Sequence, residues 1–393
     1  ARKRVTCIEK LPQSEEMQKM RIDARTMLGV YIAQLNYAAD AKEAIDPVIE
    51  LARKMNYKKR LCQLSMILGL YYHYVEEDVP RSCEFFEESL KIADEVQDIV
   101  TLAVGSFWFG FPLSFDCQFD RAAAYFQKGI DINAFVNNLW GVAAMTSNLA
   151  AWCHFFSGKI NQCMKATGEA VIVAEKSGDI FSKGMAYTSY GYAHFGKGLF
   201  DEAEKHFLAG LGFCERSNIP TWTSAAHLGL GETYFELGEF LKSSEHYSQG
   251  SEVLDRSRLF PSSVIAAKIG AFRSRIMNHQ GVSLNIFDEL YRKVKIKSFE
   301  GWAARMISDV FANVDDQHTQ EAENWILKAI DADQRNGVRF YLGRDYAQYY
   351  KILKARGDRA NAKEQIGKAI NVFKECGSDG WAERMEKTLL ELS

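Results

Sequence analysis

The sequence predicts an all-α fold, a right-handed superhelical solenoid of about nine antiparallel helix pairs. Three observations lead there. Only 6 of the 393 residues are proline, the residue that helix interiors tolerate least. A self-similar pattern recurs about every 40 residues, the length of one stacked supersecondary unit. One position of that pattern is small in every unit, as two closely crossing helices require.

The pattern is clearest in YGYAHFGKGLFDEAEKHFLAG (190–210) and LGETYFELGEFLKSSEHYSQG (230–250). Each places a glycine (Gly191, Gly231), then His194 or Tyr234 at +3, Gly198 or Gly238 at +7, Phe200 or Phe240 at +9 and Phe207 or Tyr247 at +16. Carried outward, the phase falls on Gly29, Leu70, Gly110, Ala151, Gly191, Gly231, Ala271, Val310 and Tyr350. The +12 position then reads Ala41, Ser82, Ala122, Cys163, Ala203, Ser243, Ser283, Ala322 and Ala362. The marker is expected to face this small residue across the hairpin.

Taken in order, residues 1–14 form a lead-in and 15–378 one continuous repeat array. Residues 379–393 carry a helix, near Asp379–Leu392, that covers the last apolar face. Within each unit the glycine at +7, as in GKG, ELG and ARG, ends the first helix in a left-handed turn. The second helix opens with acidic residues, as in DEAEKHF, which the helix dipole favours. Pro80 starts a second helix, Pro220 and Pro261 fall in turns between units, and Pro47 and Pro112 are expected to kink the helices that hold them. The uncharged stretch 99–115 is at the short end for a bilayer span. Pro112, Gly105, Gly110 and three hydroxyl residues interrupt it, so it reads as a helix with apolar faces, not a membrane segment. The basic run YRKVKIK (291–297) reads as the solvated end of the seventh unit's second helix.

The small and aromatic pattern of these units resembles the tetratricopeptide (TPR) family, with a unit longer than that family's usual ~34 residues. LPQSEEMQKMRIDARTMLGVYIAQLNY, LYYHYVEEDVPRSCEFFEESLKIADE and LKARGDRANAKEQIGKAINVFKECGSDGWAERMEKTLLEL look similar to a bacterial region. There a TPR-like array follows a STAND-type ATPase module, often behind a class III adenylate/guanylate cyclase domain. The resemblance implies a regulatory or partner-sensing arm and carries no catalytic residue onto this chain. The first residue is Ala1 and no signal-peptide pattern follows, so the chain reads as a piece of a longer cytoplasmic polypeptide.

The chemistry points away from catalysis. Lys+Arg number 48 against 51 Asp+Glu, a net charge of −3, whereas nucleic-acid binders carry a basic excess. Eight cysteines without a C-x-x-C pair read as reduced, packed thiols. No Walker lysine–hydroxyl pair, dinucleotide loop, H-E-x-x-H or G-x-S-x-G occurs, so neither an enzyme nor a cofactor or metal site is expected. His73, His154 and His194 each follow a marker by three, where a planar ring packs between helices.

In the resembled family, first-helix positions −6, −3, +1 and +4 from the marker line the concave side. This sequence puts Tyr71, Phe111, Trp152, Tyr192 and Phe272 at +1, and Tyr74, Phe155, Phe195 and Phe235 at +4. The last unit adds Arg344, Lys351 and Lys354. Residues 99–158 hold five charged side chains in sixty, in a chain that is 25% charged overall. Two readings follow. The rings are packed core, or they line an apolar groove for a peptide or partner helix. A sensor for a small apolar or sugar-like ligand is the alternative use of such a groove.

Overall fold

The computed structural model describes residues 2–11, 14–35 and 37–391. Ala1 and Leu392, at the ends of the expected lead-in and capping helix, lie outside the described residues. All regular structure among those described is helical. A short α1 (Arg2–Ile8) precedes the hairpins α2/α3 (Glu15–Gln34, Ala38–Lys54), α4/α5 (Lys58–Tyr71, Val79–Glu95), α6/α7 (Ile99–Phe115, Phe119–Phe135) and α8/α9 (Leu139–Asn148, Ile160–Ser177). Then come α10/α11 (Ile180–Lys197, Phe200–Arg216), α12/α13 (Pro220–Glu236, Phe240–Ser257) and α14/α15 (Pro261–Met277, Phe287–Arg292). The hairpins α16/α17 (Lys297–Val314, Thr319–Asn336) and α18/α19 (Arg339–Ala355, Arg359–Cys376) follow, and α20 (Asp379–Leu390) packs on α10 and α19. No helix among the described residues is long and apolar enough to cross a membrane.

Left-handed residues punctuate this series. They fall at Asn56, Glu77, Gln97, Cys117, Asn137, Gly158, Gly178, Gly198, Asn218, Gly238 and Arg258, and again at Gly337, Gly357 and Gly377. Successive members stand 20 or 21 residues apart within each run. The glycine at +7 thus ends the first helix as the sequence indicates, and where Glu77 and Cys117 replace it the same turn forms at a cost of about 1 kcal/mol. The 21-residue steps from Asn56 to Glu77 and from Asn137 to Gly158 contain π-helical turns, Tyr72–Glu76 and Leu149–His154. A π turn loops out one extra residue. That extra residue accounts for the 41-residue units of a 40-residue repeat.

The +12 residue is sealed in eight units; Ser283 is the exception. What the marker faces differs from expectation. At Gly110, Gly191 and Gly231 the space a Cβ would fill is taken by the ring at +16, namely Phe126, Phe207 and Tyr247. The +12 side chain meets the marker's backbone instead: Ser243 Oγ donates to the Gly231 carbonyl at 2.7 Å. In the seventh unit Ser283 is exposed and lies outside any helix. Gly281 and the alternating Val282, Leu284 and Ile286 do not sustain a helical period, so only a 3-10 turn and the short α15 form. Pro220 and Pro261 occupy the first positions of α12 and α14, not the preceding turns. Pro47 and Pro112 sit inside helices that continue past them.

The array turns back on itself. In the first five units the region at the C-terminal end of the first helix meets the start of the first helix five units on, with α20 serving as the tenth. Asn218 Nδ2 donates to the Tyr37 hydroxyl at 3.3 Å, and Phe260 N–H donates to the Tyr74 carbonyl at 2.7 Å. Glu77 caps α14 by accepting from the Ser262 N–H at 2.9 Å and its hydroxyl at 2.6 Å. Rings continue the seam, Phe115 on Phe299 at 5.7 Å, Phe155 on Phe340 at 4.8 Å and Phe195 on Trp381 at 5.5 Å between centroids. Trp381 Nε1 donates to the Phe195 carbonyl at 2.7 Å. The hydrogen-bonded pairs are 181 to 186 residues apart, so one superhelical turn takes about five units, and the second turn closes the groove of the first.

Candidate functional site

Between the two turns, the described residues enclose an apolar cavity of about 410 Å³. Half of its lining residues are aromatic. One wall comes from the first turn, with Trp108 and Phe111 on α6, Trp152 beyond α8, and Tyr192 on α10. The facing wall comes from the start of the second turn, with Trp222 on α12, Phe260 before α14, Phe299 and Trp302 on α16 and Tyr341 on α18. The rings meet at tilted angles, Trp152 on Trp222 at 5.5 Å and on Phe115 at 5.4 Å. Trp140 and Leu35, 48% and 59% exposed, and the half-buried Asp179 also line the cavity.

Of the nine side chains singled out in the sequence, Tyr74, Phe111, Trp152 and Tyr192 line this cavity. The other five do not. Phe155 is fully buried against Phe340 and Tyr341, and Phe195 against Trp381. Phe235 lies beneath the Arg273 guanidinium, 3.6 Å from its ring centroid. Phe272 packs its ring edge-to-face with Phe287. Tyr71 is half-buried and donates to Glu76 at 2.6 Å. The predicted stripe therefore splits: seam closure turns part of it into core and leaves part as cavity wall. The second-turn wall was not named from sequence, because it begins at the starts of helices that become neighbours only after a full superhelical turn.

The cavity floor is ionic. Glu232, at +1 of the sixth unit, accepts from Arg344 Nη1 (2.6 Å), the Tyr247 hydroxyl (2.6 Å), Trp302 Nε1 (2.7 Å) and Arg273 Nη2 (3.3 Å). Arg344 reaches on to Glu236 at 2.6 Å, and Arg273 to Asp309 at 3.4 Å. Burial alone would push the Glu232 pKa up, but the charges of Arg344, Arg273 and Arg305 outweigh it and hold the carboxyl well below its ordinary range. Four first helices, α12, α14, α16 and α18, meet at this one carboxylate.

A second buried acid lacks such partners. Asp333 on α17 is fully buried, makes no ion pair among the described residues and faces Asp345 on α18, whose Oδ1 accepts from Arg305 at 3.3 Å. Burial, reinforced by the charge of Asp345, pushes Asp333 well above the ordinary carboxylate range. A raised folded-state pKa gives stability that is present below about pH 4, the unfolded value, and is lost as pH rises through the folded one. Asp333→Asn is therefore expected to stabilise the protein by about 1–3 kcal/mol at pH 8 and by little at pH 4. Urea midpoints at the two pH values test this, and equal shifts would reject it.

Of the three repeat-phased histidines, His73 is buried among rings, while His154 and His194 are half-buried. Burial lowers His73 to about 3 and His154 and His194 to about 4, so all three are neutral near pH 7. His73 packs against Phe111, Phe115 and Phe260, and His194 stacks on His206. No group of three or more metal-ligating side chains gathers among the described residues, and all eight cysteines are free.

No protein-family model and no curated protein matches the sequence. Solved structures do. A Rap protein complexed with competence and sporulation factor aligns with a TM-score of 0.50 at 11% identity, covering 94% of this chain and 97% of that one. The fold is TPR-like. The apo form of RapI, at 13% identity with 94% and 97% covered, gives a TM-score of 0.41. A STAND protein with a tetratricopeptide repeat sensor, from Pyrococcus horikoshii, gives 0.37 at 14% identity; 97% of this chain aligns with 56% of that one.

Proposed function

We propose that this chain is a non-catalytic recognition module whose central cavity takes an apolar group presented by a peptide or protein partner. The observation that carries the reading is an apolar, half-aromatic cavity between the two turns of the superhelix. Each wall belongs to a different turn, so an occupant bridges the turns and biases how tightly they close. The Rap protein of like fold is itself complexed with a factor, which supports a binding use for this architecture. Resemblance to arrays that follow STAND ATPase and cyclase domains supports a place as the regulatory arm of a larger signalling protein. Tyr74, Phe111, Trp152 and Tyr192 form the proposed contact set, together with Trp108 and Trp222.

The cavity volume favours a second reading as well, because about 410 Å³ falls in the range of small-ligand pockets. A neutral apolar dye, N-phenyl-1-naphthylamine, probes both. It is expected to bind with a stoichiometry near one and to take up tryptophan excitation. Trp152→Leu with Trp222→Leu should weaken it about tenfold or more while the circular dichroism stays helical. Phe195→Ala, outside the cavity, should instead cost about 3–5 kcal/mol of stability. Dye binding that ignores the tryptophan pair would reject the cavity. A small ligand at saturation should raise the melting temperature by mass action, which separates it from a peptide-only site.

A further inference from the structure

We propose that the cavity selects a cationic apolar group, such as a protonated or quaternary alkyl- or arylamine; this rests on the reading of the cavity as the binding site. The argument is from the charges and ring faces of the wall. No lysine, arginine or histidine lines the cavity, and its two charged residues, Asp179 and Glu232, are both acidic. Glu232 is neutralised by Arg344 and Arg273. Asp179 makes no ion pair among the described residues; as the N-cap of α10 it accepts the Ser182 N–H at 2.7 Å. One lining acid is thus left with a helix N-terminus but no side-chain cation beside it.

The rings behind it are equally uncommitted. Guanidinium or ammonium groups lie over aromatic rings at eighteen places among the described residues, yet of the cavity's rings only Tyr341 is covered in this way. Trp108, Trp152, Trp222 and Trp302 therefore have no cation of the protein's own. Aromatic faces attract a cation electrostatically, tryptophan most strongly, and the attraction grows once water is removed. Four lining indoles, two of them (Trp152 and Trp222) in tilted contact at 5.5 Å, together with a lining carboxylate that makes no ion pair among the described residues, have the composition that holds a weakly hydrated cation. An anion there would meet both the negative ring faces and Asp179.

Three probes of nearly equal shape test the assignment: benzyltrimethylammonium, its neutral isostere neopentylbenzene, and benzylsulfonate. Each is titrated against the bound naphthylamine dye on the intact chain. The ammonium is expected to displace dye at about tenfold lower concentration than the neutral probe, and the sulfonate at about tenfold higher. Asp179→Asn keeps a capping oxygen and removes the charge. It should shrink the ammonium preference about threefold and leave the neutral probe unchanged. A neutral probe that competes as well as the ammonium overturns the charge assignment while dye binding still upholds the cavity. Failure of the dye itself to bind overturns the cavity reading, and this one falls with it.

Discussion

Glu232→Gln is expected to destabilise the protein by about 3–5 kcal/mol, although the two side chains fill nearly the same space. The carboxylate accepts four hydrogen bonds, three from the first helices α14, α16 and α18 and one from Tyr247 on α13, and two of them come from guanidinium groups that are at most 5% exposed. An arginine cannot shed its proton to escape burial. Removing the negative charge therefore leaves Arg344 and Arg273 short of compensation in the interior. The amide of glutamine adds a second fault, since its NH₂ would point at donors and leave one without an acceptor.

Glu236→Gln is the internal control. Glu236 also pairs with Arg344 and with Arg384, but it is more exposed than Glu232 and accepts from only one buried arginine, so its loss should cost less, about 1–2 kcal/mol. The pH dependence follows from the direction of the Glu232 shift. A depressed folded-state pKa contributes stability that is present above the unfolded value, about 4.3, and is lost as pH falls through the folded one. The gap between wild type and Glu232→Gln should therefore narrow in acid. Urea unfolding at pH 7 and pH 3 measures both effects, and a loss below about 1 kcal/mol at pH 7 would remove Glu232 from its place at the hub.

That hub was only faintly visible in the sequence. At +1 the central units read Phe111, Trp152, Tyr192 and then Glu232, a lone acid in an aromatic series, and that oddity was its one local signal. Arg344 could be placed on the inner stripe of the last unit, but its partner lies 112 residues away. The hairpins, the small +12 site and the left-handed glycines were legible because each is set by neighbours within about 20 residues. The five-unit turn is different in kind. It depends on small rotations accumulated from unit to unit, and it decides which aromatics become seam and which stay open. Hence Phe155 and Trp152, three positions apart on one predicted stripe, end in different environments. The charge-poor stretch 99–158 supplies much of the first-turn wall.

Gly191→Ala should cost about 3 kcal/mol, although alanine is the better helix former by about 1 kcal/mol. A Cβ at 191 would lie 2.6–2.8 Å from three atoms of the Phe207 ring. The ring cannot step aside, because a Cβ on Gly229, in the next unit's first helix, would meet the same ring at 2.3 and 2.4 Å. Phe207 is fully buried between two glycine backbones, with Tyr192 edge-on at 4.9 Å. Tyr247 repeats the arrangement between Gly231 and Gly270. Relief then requires α10 and α11 to separate, which disturbs the helix that carries Tyr192 into the cavity. Gly168→Ala, in the middle of α9 with nothing within 4 Å of the added carbon, should stabilise by about 0.5–1 kcal/mol. Adding Phe207→Leu to Gly191→Ala should make the pair less destabilising than the sum of its parts, because the smaller side chain vacates the clash. Denaturant midpoints for the four variants, Gly191→Ala, Gly168→Ala, Phe207→Leu and the double, decide the matter. If the Gly191 and Gly168 substitutions behaved alike, the ring would not be what fixes the marker as glycine.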